Sequence, residues 1–333
     1  SWLKGGVNMG YSYSKSNNNG QTSDSGSVFW FVDNMPSIYP LYQRDSNGNT
    51  LQDPIYGGSL YDYGETRRFA SLTNAVSDAY KQINRTGRHE LNINISFDLQ
   101  FTKGLNLETR VGSQYFNSSR DLKGDSFYGS AAKQNGSLTK YKNERLSYNV
   151  LNLLRFKKEF GSHSVEALAA HESNKFSQAY MDGSGYNLFD PNGLELNNAV
   201  VSSPSSSYTY GFSLESYFSQ LNYNYKDTYF LSGTVRRDGS SKFINNKWGT
   251  FGSVGASWVV SNESFMKNQK VFRSLKLKTS YGITGEQGVT DSNGNLDYYP
   301  AVDKYSINNL NDDVSLAFLT KGNPDLTWEK SKQ

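Results

Sequence analysis

Along much of the chain apolar and polar residues alternate one for one. Leu91, Ile93, Ile95, Phe97, Leu99 and Phe101 are separated by Asn92, Asn94, Ser96, Asp98 and Gln100, with Thr102 closing the run. Successive side chains of a strand point to opposite faces, so this spacing predicts one apolar and one wet face. Lys103-Gly104 reads as a tight turn, after which Leu105, Leu107 and Val111 alternate with Asn106, Glu108 and Arg110. Strands joined so closely are antiparallel. The design recurs around a Lys226-Asp227 turn, where Tyr217, Leu221, Tyr223 and Tyr225 lead to Tyr229, Leu231, Gly233 and Val235. It recurs again at Val254, Ala256, Trp258 and Val260, and at Leu275, Leu277, Tyr281 and Ile283. Between Tyr141 and Lys158 the period is less clean, since Leu151, Leu153 and Leu154 interrupt it.

The pattern predicts strands at 2–14, 88–102, 105–119, 141–158, 164–181, 213–226, 228–240, 247–261 and 273–285, with another opening near 325. Several exceed the roughly 5–6 residues usual in globular sheets. They suit a tilted membrane crossing, which needs about 9–11 residues in the hydrocarbon. Short links at 103–104, 159–163 and 226–227, and a moderate one at 262–272, alternate with connections at 15–87, 120–140, 182–212, 241–246 and 286–324. One tight rim and one elaborate rim is the plan of an outer-membrane barrel. Polar strand positions carry Asp98, Glu108, Arg110, Lys226, Lys276 and Lys278, which a dry core would not bury unpaired but a wet lumen accepts. The solvent face of an ordinary antiparallel sheet shows the same alternation; strand length and loop asymmetry favour the barrel. The fold expected is all-β: an antiparallel transmembrane β-barrel, of which the chain supplies about 10 strands.

Composition sharpens this picture. Tyr (24) and Phe (19) are abundant in a chain whose mean hydropathy is only −0.67, a balance that favours strands over long helices. No run approaches the roughly 18 apolar residues of a membrane helix, which leaves barrel strands untouched. There is no cysteine, hence no disulfide, thiol nucleophile or Cys-ligated metal. A formal net charge of +3 points to no nucleic-acid partner. The start at Ser1-Trp2 and the stop at Lys332-Gln333 read as cut ends, so the chain is taken as the central part of a longer barrel. An unclosed barrel exposes strand edges and is not expected to fold alone in a membrane.

Several segments carry a family likeness: Ser216-Tyr-Phe-Ser-Gln-Leu-Asn-Tyr-Asn-Tyr-Lys-Asp227, Thr234-Val-Arg-Arg-Asp-Gly-Ser-Ser-Lys-Phe243, Asn246-Lys-Trp-Gly-Thr-Phe251, Ser264-Phe-Met-Lys267, Leu275-Lys-Leu-Lys-Thr-Ser-Tyr-Gly-Ile-Thr-Gly285 and Gly322-Asn-Pro-Asp-Leu-Thr-Trp-Glu329, with Ser257-Trp258 between them. In this order they resemble the SusC/RagA-type TonB-dependent transporters of Bacteroidota. Trp2 to Tyr13 and His163 to Ala170 resemble earlier strands of the same barrels. The resemblance implies an outer-membrane barrel of about 22 strands that imports an oligomeric nutrient, glycan or peptide. It implies a SusD-like surface lipoprotein as lid and the TonB complex as energy source. The plug, the TonB box and the C-terminal strands of that family are absent here. A β-rich surface adhesin or receptor without transport is the alternative, and upstream sequence would separate the two.

Candidate contacts to ligand or lid are Trp30, Tyr39, Tyr42, Tyr56, Tyr61 and Tyr63, in the aromatic-rich connection 15–87 that also holds Phe29 and Phe31. Aromatic faces stack on sugars and on partner proteins; packing of the loop on itself is the plainer reading. Arg236 and Arg237 are expected to pair with Asp238 or a neighbouring strand's carboxylate. Trp248 and Trp258 mark interfacial or lipid-facing positions. The stretch 261–274 has room for a helical turn capped by Asn262. Asp45-Ser-Asn-Gly-Asn49 and its repeat Asp291-Ser-Asn-Gly-Asn295 lack the sixth-position Gly and twelfth-position Glu of a calcium loop, and read as turn tips. Gly249, Gly252 and Gly255 serve close packing or curvature. His89, His163 and His171 show no metal-ligand spacing, and no catalytic constellation, cofactor or metal site is expected.

Overall fold

The computed structural model describes residues 2–18, 27–65, 67–291 and 293–333. The strands are β1 (Leu3–Asn17), β2 (Ile83–Thr102), β3 (Leu105–Gly124), β4 (Ser137–Phe160), β5 (His163–Leu188), β6 (Ala199–Ser202), β7 (Ser206–Tyr225), β8 (Tyr229–Ser240), β9 (Trp248–Val259), β10 (Lys276–Glu286), β11 (Lys304–Leu310), β12 (Asp313–Thr320) and β13 (Glu329–Lys332). Ten of them form one antiparallel sheet in the order β1-β2-β3-β4-β5-β7-β8-β9-β10-β13, with β1 and β13 at its edges. The short β6 adds to β5, and β11 and β12 pair only with each other. Two helices, α1 (Val28–Asn34) and α2 (Ala75–Lys81), lie in the first long connection, capped by the side chains of Ser27 and Asn74.

Register explains how the sheet sorts its faces. Leu99 pairs with Leu3 and Leu107, Leu107 with Leu154, and Leu154 with Ala169, so one row of apolar residues crosses five strands. The apolar band does not follow such rows across the whole sheet. The row through Met9, Ile93, Ser113 and Tyr148 continues to Lys175 and Ser213, which are polar. The row through Val165, Tyr223, Leu231 and Ala256, nearer the tight rim, is apolar instead. A band slanted against the hydrogen-bond rows is the stagger of strands tilted to a common axis. The apolar face is open, with Val7 74% and Val254 63% exposed, whereas Ser216, Asp238 and Glu108 on the polar face are buried. That is the reverse of a water-soluble sheet.

The interrupted period at Tyr141–Lys158 proves continuous. β4 runs unbroken, Val150 and Leu154 keep to the apolar face, and Leu151 and Leu153 lie on the polar face beside Arg110 and Glu108. There Glu108 is held by both Arg110 and Arg155. All nine predicted strands are present, but β3, β4, β5 and β7 extend well into the stretches 120–140 and 182–212 that the sequence assigned to loops. Beyond the apolar band both faces are wet, so alternation fades while the backbone ladder persists. The hairpin β11–β12 likewise occupies a stretch read as loop.

At the tight rim β7 and β8 turn through Lys226, Asp227 and Thr228, with Lys226 and Asp227 at φ +54° and +52° and the Thr228 N–H donating to the Tyr225 carbonyl at 3.0 Å, a left-handed turn of the kind hairpins favour. The stretch 261–274 contributes only short 3₁₀ turns, and Asn262 is not their cap: its amide donates to the Asp227 carbonyl at 2.8 Å, tying two turns together. Glu263 accepts from Tyr229 Oη at 2.5 Å and Trp258 Nε1 at 3.0 Å.

At the opposite rim Trp328 packs with Phe243 and Phe251 in a buried cluster flanked by Leu214 and Ile283. Its indole donates to the Lys247 carbonyl at 2.9 Å, and Asn245 donates to Asp325 at 2.8 Å. The segment Gly322–Glu329 therefore clamps the last long connection onto the β8–β9 link. Gly249 and Gly285 make room for the rings: a Cβ there would lie 2.5 and 2.1 Å from Phe251. Trp328→Ala in the full-length protein is expected to destabilise this corner by about 3–5 kcal/mol. The check is protease cleavage between residues 287 and 328, which should rise while the remaining strands stay protected.

Candidate functional site

The long connection at the β1–β2 end of the elaborate rim folds as a unit of its own and locks onto the neighbouring loop between β3 and β4. Lys81, at the end of α2, meets Asp53 at 2.8 Å and lies 4.0 Å above the ring of Tyr128 and 4.6 Å above that of Tyr56. Tyr128 Oη donates to Asp53 at 2.8 Å, and Tyr56 Oη donates to Asp125 at 2.5 Å. Tyr63 stacks on Tyr128 at 5.8 Å and donates to Asp78 at 3.0 Å. Arg67 donates to the carbonyls of Ala70 and Thr73 and lies over Tyr39.

These contacts set the charges. Burial works against ionisation of Asp53, but the Lys81 ammonium and the N–H groups of Ile55 and Tyr56 outweigh it and hold the carboxyl well below the usual range. Burial pushes the hydroxyls of Tyr56, Tyr63 and Tyr128 above the ordinary tyrosine range, with nearby carboxylates adding to the effect, so they act as donors. Burial also pushes Asp78 up to about 6, against the hydrogen bond from Tyr63.

The six sequence-predicted aromatics divide between lock and surface. Tyr63 is buried in the lock, and Tyr56 belongs to it through Asp125. Tyr42 and Tyr61 pair at 4.9 Å, Tyr39 lies beneath Arg67, and half-buried Trp30 stacks on Phe69 at 5.6 Å. Around Trp30 the surface is apolar and open, with Phe29, Val32 and Ile38 exposed. Asp53, Lys81, Asp125 and Tyr128 escaped the sequence reading; they lie far apart in the chain and no short-range spacing links them.

A second assembly occupies the polar face below this rim. A cavity of about 600 Å³ is bordered by Asn94, Gln114, Asn149, Phe176, Phe212 and Tyr298. Tyr298 descends from the loop after β10 and sits 6.2 Å from Phe176 and 6.1 Å from Phe212. Nearby, Arg236 reaches Asp238 at 2.7 Å, Ser216 at 3.0 Å and Glu172 at 3.3 Å, the pairing expected of it. Arg237 lies over Trp248 instead. The two Asp-Ser-Asn-Gly-Asn segments are turn tips. Asp45 and Asp291 each accept two backbone N–H bonds at 2.8–2.9 Å, which lowers both carboxyls. Among the described residues no three acidic or histidine groups converge as a metal site.

The chain belongs to the TonB dependent receptor-like, beta-barrel family, whose pattern matches residues 10–333. Within it the chain is of the SusC/RagA type. The TonB-dependent receptor SusC of Bacteroides thetaiotaomicron is 29% identical over 251 residues, covering 72% of this chain and 24% of that protein. The TonB-dependent receptor P26 of Formosa agariphila is 34% identical over 191 residues, covering 55% and 19%. The structure of the RagAB peptide transporter superposes with a TM-score of 0.80 at 25% identity, over 99% of this chain and 36% of that one. The chain thus spans about a quarter of the length of SusC and about a third of its structural neighbour. In such a barrel the open apolar face meets lipid and the polar face lines the lumen. The family is one of transporters and receptors, not enzymes.

The lock carries a pH signature. The Asp78 carboxyl is raised above its unfolded value of about 3.9. Its contribution to folding of the loop is therefore whole below about pH 4 and is lost as pH rises through about 6. Asp53 is depressed, so its contribution is intact across that window. Proteolysis of segment 27–82 in the full-length protein is expected to quicken several-fold between pH 5 and 7.5, and Asp78→Asn should flatten the profile; identical profiles would refute the assignment.

Proposed function

We propose that this chain forms part of the wall and outer rim of an outer-membrane importer of a Bacteroidota-type cell, taking up an oligomeric nutrient, glycan or peptide. The observation that carries the reading is the inverted sheet, open and apolar outside and polar within, beneath a rim of folded loops. Energy comes from the TonB complex acting on a plug supplied by another part of the protein. A recess of about 990 Å³ near the tight rim, bordered by Lys157, Glu166, Asn222, Lys226 and Lys278, offers charged and amide groups for a plug to rest against. A SusD-like surface lipoprotein serves as the lid. Its docking surface includes Trp30 with Phe29, Val32 and Ile38, while Tyr39, Tyr42 and Tyr61 shape the same platform and Tyr56 and Tyr63 hold it rigid. The apolar side of β11–β12, where Ile307 faces Leu316 and Tyr305 faces Phe318, offers a second exposed patch at that rim. The likeness to the RagAB peptide transporter supports a peptide cargo; a glycan is the other cargo that the family resemblance implies.

The reading is tested in cells carrying the full-length gene and its neighbours. Deletion is expected to abolish growth on one oligomeric nutrient while leaving growth on its monomer intact. Substituting Trp30 and Phe29 together by Ala should reduce co-purification of the lipoprotein about tenfold or more, as loss of a central aromatic anchor does. Unchanged uptake with lost surface adhesion would point to the adhesin instead.

A further inference from the structure

Arg236 and Arg237 are neighbours in the chain and point to opposite faces of β8. Arg236, on the polar face, holds Asp238, Ser216 and Glu172. Arg237 points outward, in line with Leu231 and Val235, and its guanidinium has no hydrogen bond or ion pair among the described residues. It lies over the Trp248 ring, 5.4 Å from its centre. Trp248 is in turn 6.1 Å from Tyr217, whose ring is 5.0 Å from that of His171. These rings close the outer edge of the apolar band. On β7 the outward series Tyr223, Leu221 and Tyr217 gives way to Glu215 and Ser213, and on β8 Val235 gives way to Arg237.

The charge left over on this surface is positive. The carboxylates that point outward toward the outer rim are already engaged: Asp121 with Arg85, Glu144 with Lys142, and Glu215 with His171 at 2.5 Å. Lys175 is a second exposed outward cation without a partner among the described residues; it lies further along β5 toward the outer rim than His171. An arginine keeps its proton at any physiological pH. At the edge of the hydrocarbon such a charge is costly unless it is paired, and long cationic side chains there extend to the headgroups. What this surface lacks is an anion at the depth of Trp248.

From this combination we infer that the outward face centred on Arg237 docks the phosphorylated headgroup of an outer-leaflet lipid. The inference rests on the outer-membrane reading and adds a lipid partner to it. The outer leaflet of such a membrane is built of lipopolysaccharide, whose lipid part carries phosphate on a sugar headgroup. A guanidinium meets phosphate oxygens two at a time through its planar fork, and contact with Trp248 leaves the edges of that fork free. Trp248 and Tyr217 stand where aromatic side chains line a headgroup layer. The acyl chains then lie along the exposed apolar side chains of Leu231, Val235 and Val254. Lys175, nearer the outer rim, faces the rest of the anionic headgroup. Glu215 does not oppose the phosphate, because its carboxylate is turned to His171 and Tyr217.

The test uses the full-length protein in micelles of an uncharged detergent, with bound lipid counted by native mass spectrometry. The probes are lipid A, the same lipid with its phosphate removed, and inorganic phosphate. Lipid A should be retained about 10-fold better than its dephosphorylated form, the effect of a charge-assisted hydrogen bond. Arg237→Gln should lower retention of lipid A by about 10-fold and Lys175→Gln by about 3-fold, each at the parent melting temperature. Both variants should hold the dephosphorylated lipid as the parent does. Equal retention of the two lipids by the parent overturns the docking surface, as does retention of lipid A unaltered by Arg237→Gln. Displacement of lipid A by an equal concentration of inorganic phosphate also overturns it, since the site would then be one for free phosphate. Were Arg237→Gln to melt lower, the comparison of the two lipids on the parent decides. Failure of the full-length protein to enter liposomes would remove the outer-membrane reading itself; entry with equal retention of both lipids removes only the docking surface.

Discussion

In a layer that holds no water, every backbone N–H and C=O must find its partner within the protein. The rest of this structure depends on that constraint. It forces the chain into a continuous antiparallel ladder from β1 to β10, and once the ladder exists each residue's face follows from its position in the register. Residues that would form a core in a soluble protein, such as Val7, Ile93, Leu154 and Val254, are turned outward. The slanted apolar band is the same constraint seen from the side: tilted strands must each place their apolar stretch at one depth, so the stretch shifts along successive strands.

With the apolar residues outside, the inner face is free to be chemically varied. Arg236 gathers Asp238, Ser216 and Glu172 across three strands, and Glu108 is shared by two arginines. Each ion is compensated where it stands, which is what a partly enclosed charge requires. Toward the outer rim amides and rings border a cavity, with the Arg88–Glu90 pair near it and the Lys242 ammonium over the rings of Phe212 and Tyr298. Above that rim the loops build a small soluble-type unit with its own capped helices and a buried Tyr63–Asp78 pair. Wall, cavity and platform are thus three environments stacked along one set of strands.

The wall was legible in the sequence because it repeats: period two, Lys-Gly and Lys-Asp turns, and long loops on one rim. Leu151 and Leu153 looked like defects only because apolar residues were assumed to face outward; inside, they cover the stems of the Arg110–Glu108 row. The strand ends were harder to see, since a ladder with water on both faces leaves no hydrophobic alternation. Among the site residues, the aromatic content of 15–87 was visible, but its division was not. Tyr63 is fixed by α2 and Tyr128, and Lys81 reaches Asp53 across 28 positions. Such partnerships are made by tertiary contact and leave no spacing to read. Trp328 showed the same limit from another side: its motif marked the family, while its place beside Phe243 and Phe251 emerged only from the fold.

The central claim is that one set of strands presents lipid on one side and water on the other. This stretch holds no cysteine, so with any cysteine elsewhere in the full-length protein replaced, a single nitroxide label can be set at each position from 217 to 225 in liposomes. The account predicts alternation: collision with dissolved oxygen dominating at Tyr217, Leu221, Tyr223 and Tyr225, and with a water-soluble nickel complex at Phe218, Gln220, Asn222 and Asn224. Uniform accessibility along the strand, or the opposite phase, would contradict it.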